Sequence, residues 1–116
     1  MSGVETTDIE KFMARTVDAI RVLAFFKAKP GRADELERVL LSLISPTRGE
    51  SGNISYVLHR MDSNLDIFMF DEIWVSKSAL DEHQNTLHIK SLPALIKDLA
   101  QGLPRVEIYS EVRSEI

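Results

Sequence analysis

The 116-residue sequence contains no cysteine. Disulfides, thiolate catalysis and cysteine-ligated zinc or iron–sulfur sites are therefore excluded. It has no run of about 18 apolar residues, so no helical membrane span is expected. It lacks an excess of positive charge: 14 Lys and Arg stand against 18 Asp and Glu, a net charge of −4. Nucleic acid binding needs a basic face, so nucleic acid is not an expected partner. Phosphate-cradling loops (G-x-G-x-x-G, Walker), the G-x-S-x-G elbow and EF-hand loops are missing too. The N-terminus, MSGVETTDIEKF, has no basic segment leading into an apolar one, so no signal peptide is expected and the expected location is cytoplasmic.

What is present suits a single globular domain: 44% hydrophobic and 28% charged residues. Residues 1–19 read as a helical extension, with Thr7 and Glu10 spaced as a capping box and Ile9, Phe12, Met13, Val17 and Ile20 near one face. Residues 20–116 then form the domain proper. The apolar run Val22–Phe26 predicts a strand over 20–29 buried on both faces, broken by Pro30-Gly31. Leu36, Val39, Leu40, Leu43 and Ile44 predict a helix over 32–45 that Pro46 stops.

Residues 53–61 and 66–75 alternate and form a hairpin around Asp62-Ser63-Asn64. Along the second of these strands Phe68, Phe70, Glu72 and Trp74 share a face. Residues 76–86 read as a polar helix with Leu80, His83 and Leu87 on its apolar stripe, and 88–101 as a further helix that Pro93 kinks or restarts. Residues 105–113 alternate again, with Val106, Ile108 and Val112 inward.

The resulting order, β-α-β-β-α-β, is the ferredoxin-like α+β unit, a four-stranded antiparallel sheet with helices on one face. The other face draws on Leu23, Phe25, Phe68, Phe70, Trp74 and Tyr109, depending on which way each strand turns. An apolar sheet face left in water is unfavourable, so two subunits are expected to associate sheet to sheet as a homodimer.

The stretch from Phe70 to His83 (FDEIWVSKSALDEH), followed by Thr86-Leu87-His88, resembles the signature of the antibiotic biosynthesis monooxygenase (ABM) family: an aromatic strand end, a serine-rich turn and a helix with L-x-x-H. Lys29–Leu36 is similar to its first strand-to-helix junction and Val106–Tyr109 to its last strand. The resemblance spans about residues 20–112. It implies a dimeric α+β barrel and, for many members, oxygenation of a small aromatic or quinol-like compound by O₂ without cofactor. Haem-degrading members share an Asn on the first strand that is missing here, so no haem or other cofactor is expected. Aromatic-oxidising members pair a strand Asn with the strand Trp; here the Trp74 face carries Phe68, Phe70 and Glu72.

His83 is the candidate base, since an imidazole can take a proton near neutral pH. Glu72, if inward, needs a partner, and orienting His83 or His59 would supply one; the alternative is a surface salt bridge. Trp74, with Phe68, Phe70 and Tyr109, is expected to wall the substrate cavity. Tyr109 and Tyr56 are candidate donors to a substrate oxyanion. His59 and His88 are secondary binding candidates. No metal site is expected, because His83 and His88 are five apart and fall on different sides of a continuous helix. The cavity is expected to be closed and apolar, with His83 in its wall. Two other readings remain: an isomerase or lyase for a small, sugar-like metabolite, with or without a phosphate, which needs His beside Arg, and a non-catalytic ligand-binding dimer.

Overall fold

The computed structural model describes residues 18–112. The proposed extension therefore lies almost wholly outside the described residues. The strands are β1 (Ile20–Lys27), β2 (Asn53–Arg60), β3 (Ile67–Trp74) and β4 (Arg105–Ser110). They form one antiparallel sheet in the order β2-β3-β1-β4. Helices α1 (Ala33–Leu41) and α2 (Ile44–Arg48) join β1 to β2, and α3 (Lys77–Gln84), α4 (Leu87–Lys90) and α5 (Leu92–Ile96) join β3 to β4. The ferredoxin-like α+β order is thus present, with the helix expected over 76–86 in one piece and those expected over 32–45 and 88–101 each divided in two.

The cuts have local causes. The helix expected over 32–45 ends at Leu41, and Pro46 does not stop a helix but sits third in α2. The first amides of a helix have no intrahelical acceptor, so proline there loses no bond. Pro93 acts the same way at the start of α5, where it restarts the chain. Between α3 and α4, Thr86 is extended (φ −71°, ψ 154°), which breaks the helical path. Ser76 caps α3 by accepting from the Ala79 amide at 3.1 Å.

Alternation decides what is buried. In β3, Phe68, Phe70, Glu72 and Trp74 all point under the helices and are buried. Leu23, Phe25 and Tyr109 lie on the opposite, helix-free face: they alternate with buried Val22, Ala24 and Phe26, and Tyr109 pairs with Arg21. β1 is therefore covered on one face within the chain, not on both. Tyr56 stacks on Phe70 (4.4 Å between centroids) and Phe26 meets Phe70 edge-on (6.1 Å). Leu36, Leu40, Leu43, Leu80, Leu92 and Ile96 close the core from the helix side.

Three apolar expectations change. Leu87 is 80% exposed, because the break at Thr86 turns it off the α3 stripe. Val106 and Ile108 do face the helix side, paired with Ala24 and Val22, yet are about half exposed (47% and 53%) because β4 is the sheet edge. Val112 lies past the strand and is exposed.

The 49–52 loop is drawn tightly against α3. Gly52 accepts from the Val75 amide at 2.9 Å, and a Cβ built on Gly52 would stand 2.4 Å from the Ala79 Cβ. We expect Gly52→Ala to cost about 1–3 kcal/mol through overpacking. In an Ala79→Gly background the same change should cost less, a coupling that urea denaturation of the four variants measures.

Candidate functional site

The loop between α2 and β2 carries a carboxylate, Glu50, that no motif or spacing marks. Glu50 donates its amide to the Thr47 carbonyl and accepts from the Asn53 amide, both at 3.0 Å, so its backbone is fixed at the head of β2. One oxygen of its side chain, Oε2, meets two imidazoles: His83 Nδ1 at 2.7 Å and His88 Nε2 at 3.0 Å. A carboxylate can only accept, so both ring nitrogens donate to it. This leaves the Nε2 of neutral His83 as an acceptor.

His83 is only 3% exposed and rests against the Trp74 ring at 4.4 Å. Burial lowers its pKa, opposed by the hydrogen bond to Glu50, so the neutral imidazole is favoured. His88 comes back toward His83 (5.9 Å between rings) because Thr86 interrupts the helix. The expectation that five-residue spacing separates the two histidines fails for that reason. Thr86 Oγ1 donates to the His83 carbonyl at 2.7 Å and fixes the break.

Glu72 is buried beneath the helices and takes a different partner from either expected one. Its Oε1 accepts from Trp74 Nε1 at 2.9 Å. Burial pushes its pKa up to about 7, against the Trp74 bond and with the help of the Glu50 and Asp71 charges. Glu50, not Glu72, is the group bonded to His83. Tyr56, buried and stacked, has its hydroxyl pKa raised, first by burial and then by the Glu72 charge.

A cavity of about 80 Å³ lies between sheet and helices, with His83, Glu72, Tyr56 and Phe70 in its wall and Pro104 and Val106 at its β4 end. Among the described residues, no Arg or Lys lines it. It is smaller than the closed aromatic pocket expected, since a cavity that holds benzene measures about 150 Å³. Trp74 stands behind His83, and Phe68 lies further along β3 beneath the Arg60 guanidinium (5.0 Å).

His59 and Tyr109 are not part of this cluster. His59 is exposed on β2, and Tyr109 is exposed on β4, donating to Glu107 at 2.7 Å. Asn53 is a residue that same-strand reading overlooked. It is buried on β2 directly across from Trp74, with its amide donating to the Ser55 carbonyl at 3.0 Å.

Comparison with known proteins bears on what such an arrangement does. The family model described as "Antibiotic biosynthesis monooxygenase" matches residues 19–92, well over half the chain. The chain belongs to the ABM family. A protein of Mycobacterium tuberculosis named "Putative monooxygenase Rv0793" is 31% identical over 80 residues, covering 69% of this chain and 78% of that one. An uncharacterized Synechocystis protein, sll1783, is 30% identical over 92 residues; the match covers 79% of this chain but only 63% of that protein. Among solved structures, PA3566 of Pseudomonas aeruginosa superposes with a TM-score of 0.78 at 30% identity, over 83% of this chain and 96% of that one. A structure described as "antibiotic biosynthesis monooxygenase" gives 0.75 at 28% identity, over 81% and 99%.

The ABM cluster carries a stability signature. Because the folded-state pKa of Glu72 lies above its ordinary 4.5, its contribution is fully present below about pH 4.5 and is lost as pH rises through about 7. Glu72→Gln mimics the protonated acid and keeps an acceptor for Trp74. It should match the wild type in acid and exceed it by up to about 3 kcal/mol near pH 9, measured by urea denaturation across pH.

Proposed function

We propose that the protein is a cofactor-independent monooxygenase that oxidises a small phenol or quinol-like compound with O₂, with His83 as the general base. The observation that carries this reading is the Glu50–His83 bond at 2.7 Å, which leaves Nε2 as the unoccupied nitrogen of a histidine that lines a hollow shared with Glu72 and Tyr56. A base held in one tautomer by a buried carboxylate is the arrangement proton abstraction requires.

The chemistry balances without an outside reductant. His83 Nε2 takes the phenolic proton, and the electron-rich phenolate passes one electron to O₂. Recombination of the radical pair at the para carbon forms a C–O bond, and loss of water leaves the quinone. A phenol and O₂ give a para-quinone and water: one oxygen atom enters the product, the other leaves as water, and all four electrons come from the substrate. The Tyr56 hydroxyl, kept protonated by burial, donates to the developing oxyanion. Protonated Glu72 adds a second donor beside it.

A ring needs more room than 80 Å³. We place it at the β4 end of the cavity, against Val106 and Ile108, with O₂ in the closed part. That mouth is walled on one side only within a single chain. The helix-free face with Leu23, Phe25 and Met69 is the surface through which the homodimer forms. Each 100 Å² of apolar area covered contributes about 2.5 kcal/mol.

Two measurements test this reading. O₂ consumption against a panel of phenols and quinols should be detectable for the wild type. His83→Ala should abolish it, and Glu50→Gln should lower kcat with little change in KM. Activity that survives in His83→Ala contradicts the assignment. Light scattering should give twice the 13.1 kDa chain mass, falling to one chain for Phe25→Asp; a wild type that runs as a single chain contradicts the homodimer.

A further inference from the structure

The Glu50 cluster has a property that base catalysis does not use. The Glu50 carboxylate, His83 and His88 each present a ligand atom, and these atoms lie within 4.8 Å of one another. Around an ion with bonds of about 2.0–2.1 Å in tetrahedral geometry, neighbouring ligand atoms stand roughly 3.3 Å apart. The two N···O separations, 2.7 and 3.0 Å, need to open by about 0.6 and 0.3 Å to reach that value, and the two ring nitrogens, within 4.8 Å of each other, need to close toward it. Two imidazoles and one carboxylate, all nitrogen and oxygen donors, suit a divalent first-row transition ion.

The surroundings match a site that is held yet reachable. The side chains of His83, Glu50 and His88 are 4%, 15% and 20% exposed, so exposure rises from the core outward. Beside Glu50 lies a polar hollow of about 480 Å³, lined also by Ser51, Ser76, Glu82 and Thr86, through which solvent reaches that one ligand. The backbone supporting the ligands is pinned, by the Asn53 amide at Glu50 and by the Thr86 hydroxyl at the His83 carbonyl. Ligands fixed in this way lose little entropy when they close on an ion.

We propose that Glu50, His83 and His88 form a binding site for a divalent transition-metal ion, with Zn²⁺ as the representative, and that its occupancy switches the cavity face of His83 from acceptor to donor. The ion takes the lone pair of Nδ1. In a neutral imidazole the proton must then reside on Nε2, the nitrogen that faces the hollow. The protein therefore has two exclusive states. Without metal, Nδ1–H is held by Glu50 and Nε2 is a base; with metal, Nε2–H is a hydrogen-bond donor and proton abstraction stops. The site stands on geometry alone and is tested apart from the catalytic reading.

The test is calorimetric titration of the untagged protein with Zn²⁺, together with the visible spectrum of the Co²⁺ form. The expected result is one Zn²⁺ per chain, and Co²⁺ bands of the intensity that low-coordinate nitrogen–oxygen sites give. Glu50→Gln and His88→Ala should each weaken binding about tenfold or more, while His59→Ala, on the exposed part of β2, leaves it unchanged. Circular dichroism melting establishes that each variant is folded. The site is overturned if the folded wild type binds no Zn²⁺, or if His88→Ala and Glu50→Gln bind it as the wild type does. Should Zn²⁺ bind as expected while O₂ consumption is absent throughout, the site stands and the monooxygenase reading falls. Should Zn²⁺ bind without inhibiting an active enzyme, the switch is wrong.

Discussion

A single carboxylate oxygen that accepts from two imidazoles organises the functional end of this molecule. Glu50 Oε2 fixes the ring of His83 and draws α4 back toward α3 through His88. Buried hydrogen bonds to a charged acceptor are the strong ones, and an unpartnered carboxylate here would be expensive. The loop that carries Glu50 is locked accordingly, by Gly52 against Ala79 and by the amides of Asn53 and Val75. Loop, helix break and histidine tautomer thus meet at one carboxylate oxygen.

The second constraint is the half-covered sheet. Helices roof β2, β3 and β1 but leave the helix-side residues of β4, Val106 and Ile108, about half exposed. Val106, at that edge, also lines the cavity. The opposite face is crossed by ion pairs such as Arg21–Asp71, bidentate at 2.8 and 2.5 Å, between apolar residues. A mixed surface of this sort suits association between subunits, with exposed pairs setting register more than affinity.

Much of the fold was legible because period-two alternation is a local property. Phe68, Phe70, Glu72 and Trp74 share a face whatever the rest of the chain does, and β3 bears this out residue by residue. The βαββαβ order followed from counting such segments. Helix continuity was not legible: Thr86 adopts an extended backbone only because its hydroxyl and the His88 ring find partners across the break. His83 could be singled out from its place on an apolar stripe. Glu50 could not, since it sits in a Gly-flanked loop 33 and 38 residues from its partners, and no spacing rule reaches that far. The pairing of Asn53 with Trp74 was hidden for the same reason, being a relation between strands.

Nitrogen-detected NMR of the His83 ring, on protein freed of metal by a chelator and held at neutral pH, tests the central arrangement most directly. The account predicts a neutral imidazole with its proton on Nδ1, shared with Glu50, and an unprotonated Nε2; Glu50→Gln should loosen that preference. A His83 ring protonated on Nε2, or on both nitrogens, would contradict it.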